Sequence, residues 1–270
     1  MNKNGVDKST PCEFMNSKPF IIGVGGAHSA VGKTTLAEAI IRYLASRKPP
    51  QPFRLRSTQP LIGAIKYTKT PLYASLIDDE SIIGETGKDT SKLSGAGARK
   101  VLWIKSPQSD LEELVAVALS RLSDMDVIVI EGNSAIEFAK PDIVIFIIGE
   151  PENGIKHTAE GLMGRADIVI VPKMSQASPP GIGEYAKIYT PEKYPYKFDG
   201  AEIQDIITFM EDTANKKEIK RLLTERSVDA RLTCNSARMI AEELDVPYIE
   251  VGKAANELKI KIKNCELGCF

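Results

Sequence analysis

The residues best suited to chemistry sit near the start of the chain: Gly25-Gly26-Ala27-His28-Ser29-Ala30-Val31-Gly32-Lys33-Thr34-Thr35. They meet the pattern G-x-x-x-x-G-K-[ST] with one change, Ala27 in place of the first glycine. A loop of small residues lets consecutive backbone N–H groups turn inward around an anion. The helix that follows adds its unpaired N–H groups and the positive end of its dipole. Lys33 is expected to reach the β- and γ-phosphates of a nucleotide, and Thr34 to place its hydroxyl on Mg²⁺. The cradle as a whole is expected to use Gly26, Ala27, His28, Ser29, Ala30, Val31, Gly32, Lys33, Thr34 and Thr35. Ala27 suits the position if its φ is negative. His28 is expected to contribute its backbone N–H rather than its imidazole.

Such a loop needs a strand before it and a helix after it. The apolar run Phe20-Ile21-Ile22-Gly23-Val24 supplies the first, and residues 36–44 supply the second. Further apolar runs at 61–65, 100–104, 126–130, 142–148 and 167–171 read as strands. Leu111, Leu114, Val115, Ala118, Leu119 and Leu122 recur at helical spacing, so residues 110–123 read as an amphipathic helix. Near-continuous β-branched runs separated by helices mean a mostly parallel sheet covered on both faces, a three-layer α/β P-loop fold.

Ligands in such sheets bind beyond the carboxyl ends of the strands. Lys66, Glu131, Asn133 and Lys173 all fall there. Glu131 is expected to hold Mg²⁺ opposite Thr34, with Asp79 or Asp89 as a second acidic contact. Lys66 is expected to face the γ-phosphate or an anionic substrate. Pro172-Lys173-Met174-Ser175 occupies the place where many GTPases carry Asn-Lys-x-Asp, whose Asp pairs with guanine. Lys173 can still lay its stem on a base, but the guanine-selecting carboxylate is missing there, so both GTP and ATP remain open.

The chain has 270 residues, 43% hydrophobic and 26% charged, with a net charge of −1. That composition is that of a soluble globular protein with no general pull toward nucleic acid or anionic membrane. No apolar run is long enough to span a bilayer. Residues 1–18 are polar, without the apolar core of a secretory signal, and are expected to be flexible. Four cysteines do not make a disulfide scaffold, and a reducing cytoplasm is the expected setting. The expected division is a flexible terminus (1–18), a P-loop domain (19–175), a Pro-, Gly- and Tyr-rich linker or covering loop (176–200), and a small, mainly helical C-terminal module (201–270).

The stretches 25–35, Ile65-Lys66-Tyr67, Gly87-Lys88-Asp89-Thr90 with Ala96-Gly97-Ala98, and Val129-Ile130-Glu131-Gly132 together resemble the molybdopterin-guanine dinucleotide biosynthesis protein B family. The resemblance spans about residues 19–150. It implies a SIMIBI-class P-loop fold, a homodimer, nucleotide binding, and delivery or completion of a molybdenum cofactor, with a molybdopterin-type or other small-molecule cofactor and an apoenzyme as partners. The same class holds nickel-insertion GTPases and dethiobiotin synthetase, whose Val-Glu-Gly segment is similar to Ile130-Glu131-Gly132. Tyr67 stands where the family usually has histidine, the stretch 68–86 differs, and the C-terminal module is additional.

In that module, helices are expected at 201–210, 215–224, 235–244 and 249–258, the last two with helix-turn-helix spacing. Lys259-Ile260-Lys261-Ile262-Lys263 alternates like an exposed strand. Residues 215–263 hold 11 Lys/Arg against 8 Asp/Glu, too even a balance for a DNA-reading face, so protein or cofactor docking is the expected role. Cys234, Cys265 and Cys269 fall within the last 37 residues. Three thiolates would suit an iron–sulfur cluster or zinc, and small half-buried apolar residues are the alternative.

The function expected from these residues is Mg²⁺-dependent binding and hydrolysis of GTP or ATP in cofactor maturation. Two alternatives stand beside it: an ATP-dependent ligase or kinase resembling dethiobiotin synthetase, and a nucleotide-sensing regulator acting through the C-terminal module.

Overall fold

A computed structural model describes residues 18–46, 59–149, 154–155, 157–173, 181–184, 186–191 and 196–263. An eight-stranded sheet forms its centre, in the order β3-β4-β2-β5-β1-β6-β7-β8. The strands are β1 (Phe20–Gly26), β2 (Ile62–Lys69), β3 (Ser75–Ile77), β4 (Lys100–Ser106), β5 (Val127–Glu131), β6 (Ile143–Ile147), β7 (Ile168–Ile170) and β8 (Lys187–Tyr189). All neighbours pair in parallel except β3, which runs antiparallel to β4.

Helices cover both faces. On one lie α1 (Lys33–Ser46), α3 (Asp89–Gly95) and the first half of α7 (Gly200–Arg226), packed on Val24, Val129 and Ile145. On the other lie α4 (Leu111–Arg121), α5 (Asn133–Ala139) and α6 (His157–Met163), packed on Ile65, Ile130 and Phe146. This is the three-layer α/β architecture that the apolar runs imply. The central strands are buried on both sides, which is why β5 and β6 read as unbroken hydrophobic runs. α1 buries Leu36, Ala37, Ile40, Ile41 and Leu44, a stripe at helical spacing.

Several elements differ from the sequence expectations. β2 continues four residues past Ile65, so Lys66 lies within the strand rather than after it. Residues 187–189, inside the expected linker, form the edge strand β8. The helices expected at 201–210 and 215–224 are one helix of 27 residues. Nothing between them is a glycine or proline, and the phase of the apolar stripe simply shifts. Its first half buries Ile203, Ile206, Ile207 and Met210 in the sheet-facing core, and its second half buries Ile219, Leu222 and Leu223 in a separate one.

That second core is closed by α8 (Cys234–Glu243) and α9 (Tyr248–Glu257), which supply Ala237, Ile240 and Val251. Thr233 caps α8 by accepting from the Ser236 N–H. β9 (Arg231–Thr233) and β10 (Lys261–Lys263) pair in parallel beside the helices, so the alternating stretch near the C-terminus has a partner strand. Among the described residues, no helix is long and apolar enough to cross a membrane. The stretches 1–17, 47–58 and 264–270 lie outside the described residues, with Cys12, the proline-rich 48–52, Cys265 and Cys269.

Leu223 is fully buried where α7 enters the C-terminal core. Leu223→Ala is expected to lower unfolding free energy by about 2–5 kcal/mol, measured by urea denaturation.

Candidate functional site

The loop between β1 and α1 is fixed at its root from two sides. The Ala27 N–H donates to the Ile147 carbonyl at 2.9 Å, which joins the loop to β6. The Asn133 side chain grips Gly26 twice: its Oδ1 accepts from the Gly26 N–H and its Nδ2 donates to the Gly26 carbonyl, both at 2.9 Å. Asn133 is the first residue of α5, two positions after Glu131, and the Glu-Gly-Asn run sets both residues at the same end of the sheet. Gly132 between them has φ 134°, and a Cβ there would lie 2.9 Å from the Tyr67 Cβ. Only glycine makes that bend beside Tyr67.

Within the loop, Ala27 is buried and keeps a negative φ, so the missing glycine costs the turn nothing. Gly32 needs its hydrogen: φ is 103°. Ala30 also sits at positive φ, 60°, a strain of about 1–2 kcal/mol for a residue with a Cβ. Lys33 Nζ donates to the His28 carbonyl at 2.7 Å, closing the loop on itself. His28 is half-buried, with Nδ1 against the Ser29 carbonyl at 2.7 Å and Nε2 buried without a partner among the described residues. It packs onto Gly149, where a Cβ would lie 2.4 Å from Nε2. Ser29, Ala30, Val31 and Gly32 complete the loop, with Ser29 and Ala30 exposed.

The charged centre lies beside the loop. Glu131, the last residue of β5, is only 2% exposed. Thr34 Oγ1 donates to its Oε2 at 2.9 Å, and Lys66 Nζ donates to its Oε1 at 2.6 Å. Lys66 Nζ also lies 2.9 Å from Asp89 Oδ2, at the first turn of α3. Thr34, Lys66 and Glu131 are therefore brought together, and Asp89 joins them. Asp79 does not: its carboxylate caps α2 (Glu80–Ile83), accepting from the Ser81 N–H at 2.9 Å. That cap holds the Asp79 carboxyl below the ordinary range, chiefly through the Ser81 hydroxyl.

Burial pulls the Lys66 pKa down, but attraction from Glu131 and Asp89 outweighs it and raises the pKa above the ordinary value. For Asp89, burial pushes upward, and the Lys66 ammonium, with Lys92, overcomes it and lowers the pKa. Lys66 has a third ammonium hydrogen beyond these two partners.

Thr35 lies on the flank of α1. It opens onto a groove of about 380 Å³ lined also by Glu38, Arg42, Tyr43, Lys197 and Phe198. Tyr196 packs beside the loop, its hydroxyl donating to the Ile148 carbonyl and its ring stacked on Phe198. Lys173 is exposed on the turn after β7, and Met174 and Ser175 lie outside the described residues. Cys234, half-buried, begins α8; its two expected partners lie outside the described residues. No group of three His, Cys, Asp or Glu suited to a metal ion occurs among the described residues. The backbone clamp by Asn133 was not foreseen from the sequence, although its place at a strand end was visible.

No protein-family model matches the sequence, and no curated protein matches it. Solved structures similar to it include the hydrogenase maturation factor HypB from Archaeoglobus fulgidus, at 15% identity and a TM-score of 0.40, covering 73% of this chain and 91% of that one. A ParA-family ATPase from Chlorobium tepidum TLS is similar at 11% identity and a TM-score of 0.34, with the same coverage, 73% and 91%. A plasmid partition protein from Borrelia burgdorferi is similar at 16% identity and a TM-score of 0.41, covering 73% of this chain and all of that one (100%).

Asp89 and Lys66 tie stability to pH in opposite directions. Asp89, lowered, contributes above its ordinary value of 3.8 and loses that contribution as pH falls through its lowered pKa. Lys66, raised, contributes below its ordinary value of 10.5 and loses that contribution as pH rises through its raised pKa. Lys66→Met leaves Glu131 without a cation. It is expected to cost about 3 kcal/mol between roughly pH 4 and 10.5. The gap from the unmutated protein should narrow outside that window, read by denaturant titration across pH.

Proposed function

We propose that the chain binds a Mg²⁺–nucleoside triphosphate in the loop of residues 26–35 and transfers its γ-phosphoryl group to water or to a small acceptor. The observation that carries this reading is the Thr34–Glu131–Lys66 contact beside a loop rooted on β1, β6 and Asn133. The Thr34 hydroxyl spends its proton on Glu131 and keeps its lone pairs. A hydroxyl and a carboxylate held 2.9 Å apart are hard oxygen donors of the kind Mg²⁺ takes, so these residues fit the ion. When bound, Mg²⁺ neutralises charge on the β- and γ-phosphate oxygens.

The chain's own residues do the rest. Lys33 exchanges the His28 carbonyl for phosphate oxygens. The loop amides and the first turn of α1 receive the remaining phosphate charge. Glu131 orients Thr34, and the third hydrogen of Lys66 faces the γ-phosphate or the acceptor. Charge is thus stabilised by groups already in place, which is the cheapest form of catalysis for phosphoryl transfer.

The finer reading is cofactor maturation, with a molybdopterin-type molecule as cargo. What supports it is the Gly87-Lys88-Asp89-Thr90 stretch. Asp89 grips Lys66, and the buried Thr90 hydroxyl donates to the Ile83 carbonyl, so one residue of that stretch reaches the site and the next ties it to α2. The C-terminal module built on α8 and α9 is the proposed docking element, and a homodimer is the proposed assembly.

Lys33→Ala is expected to weaken Mg-GTP or Mg-ATP binding at least 100-fold by calorimetry, and unchanged binding would overturn the reading. Running both nucleotides decides the base. Glu131→Gln should retain measurable nucleotide binding while Mg²⁺-dependent phosphate release falls by about 10²–10³.

A further inference from the structure

The sheet face that carries Lys66 continues outward past it. Lys66 is in register with Glu131 on β5 and with Trp103 on β4. Register partners on a pleated sheet project to the same face. Two residues further along, Thr68 pairs with Lys105 on that same face. The antiparallel edge strand extends it once more, setting Ser75 against Lys105 and Ile77 against Trp103. Lys88, at the start of α3, leans over the strip from above.

The side chains on this strip are unusual together. Trp103 is half-buried, with Lys105 Nζ 3.7 Å and Lys88 Nζ 5.4 Å from its ring centroid. Its indole N–H donates to Thr68 Oγ1 at 3.0 Å, which fixes the ring. Lys88 has a carboxylate partner in Glu85, whereas Lys105 has none within ion-pair distance among the described residues. The Ser75 hydroxyl, its register neighbour, is buried and has no hydrogen-bond partner among the described residues. A cation resting on an aromatic face gains about 0.5–2 kcal/mol, less than a charge-assisted bond to an anion offers. Strands lie about 4.8 Å apart, so the strip begins one strand beyond Lys66, on the side away from the phosphate loop.

We propose that Trp103, Lys105, Lys88 and Ser75 form the acceptor subsite of this protein. Its ligand is a small molecule with a planar portion for the indole and a phosphate or carboxylate group for Lys105. The ligand's opposite end would meet Lys66 and the transferred phosphoryl group. The assignment rests on the γ-phosphoryl transfer proposed above, since that reading puts the reaction on the near side of Lys66.

Trp103 is the single tryptophan of the chain, so its fluorescence reports this site alone. The full chain, saturated with Mg-ADP to fill the phosphate loop, is titrated with phenyl phosphate in one arm and benzoate in the other. Nucleotide binding is followed separately by calorimetry. The expected result is saturable quenching in one arm, which names the anionic group. Lys105→Gln should weaken that binding about tenfold, and Lys105→Arg should restore most of it. Absence of saturable quenching in both arms, or equal binding by Lys105→Gln, overturns the subsite. Failure of nucleotide to bind, with Lys105-dependent quenching intact, leaves an anion site but overturns both the acceptor role and the phosphoryl-transfer reading.

Discussion

A carboxylate with 2% exposure at the end of a central strand sets the terms for everything around it. Glu131 has lost its water, and a lone buried charge would neutralise or unfold its surroundings. Its two oxygens are instead served from two directions, by a hydroxyl on α1 and an ammonium on β2. Those partners lie 97 and 65 residues away in sequence. The strand order β2-β5-β1 is what lets both reach it. Asp89 then completes the balance by sharing the cation, which draws the start of α3 to the same point.

The same constraint shapes the neighbouring loop. Lys33 and Lys66 are both satisfied by protein oxygens, a carbonyl in one case and two carboxylates in the other. Under the proposed function, an incoming polyanion would find cations already oriented, and each exchange of one oxygen partner for another is small in net energy. The rigid parts lie underneath: the double Asn133 clamp on Gly26 and the tie to Ile147 hold the loop's root while its tip, Ser29 and Ala30, stays at the surface.

Local signals carried most of what the sequence could reveal. Strand, small-residue loop and helix are consecutive, so residues 20–46 could be read directly, as could the fully apolar β5 and β6. Glu131 was visible because a charged residue ending a buried strand has few bland explanations. The three-residue strands β3, β8 and β9 were not, because a stretch that short shows no period. Lys66 was placed one step too far along, since β2 turns polar as it enters the site and the strand pattern stops before the strand does. The Lys66–Asp89 pair and the Asn133 clamp depend on contacts between distant segments, and choosing Asp89 over Asp79 required knowing which of the two caps a helix.

The long helix α7 has a consequence for how the molecule comes apart. At 27 residues it is a rod of about 40 Å, and each end is an inseparable part of a different core. Lys217 near its middle reaches the Asp142 carbonyl and the Asp167 carboxylate, so the sheet also holds the rod between its ends. A flexible tether would let the C-terminal helices melt and reform by themselves. Here their loss strips α7 of its buried second half, and fraying there propagates along one continuous hydrogen-bonded ladder toward the layer that covers α1. The loop between β1 and α1 thus shares its layer with a helix whose other half belongs to a core that never touches that loop.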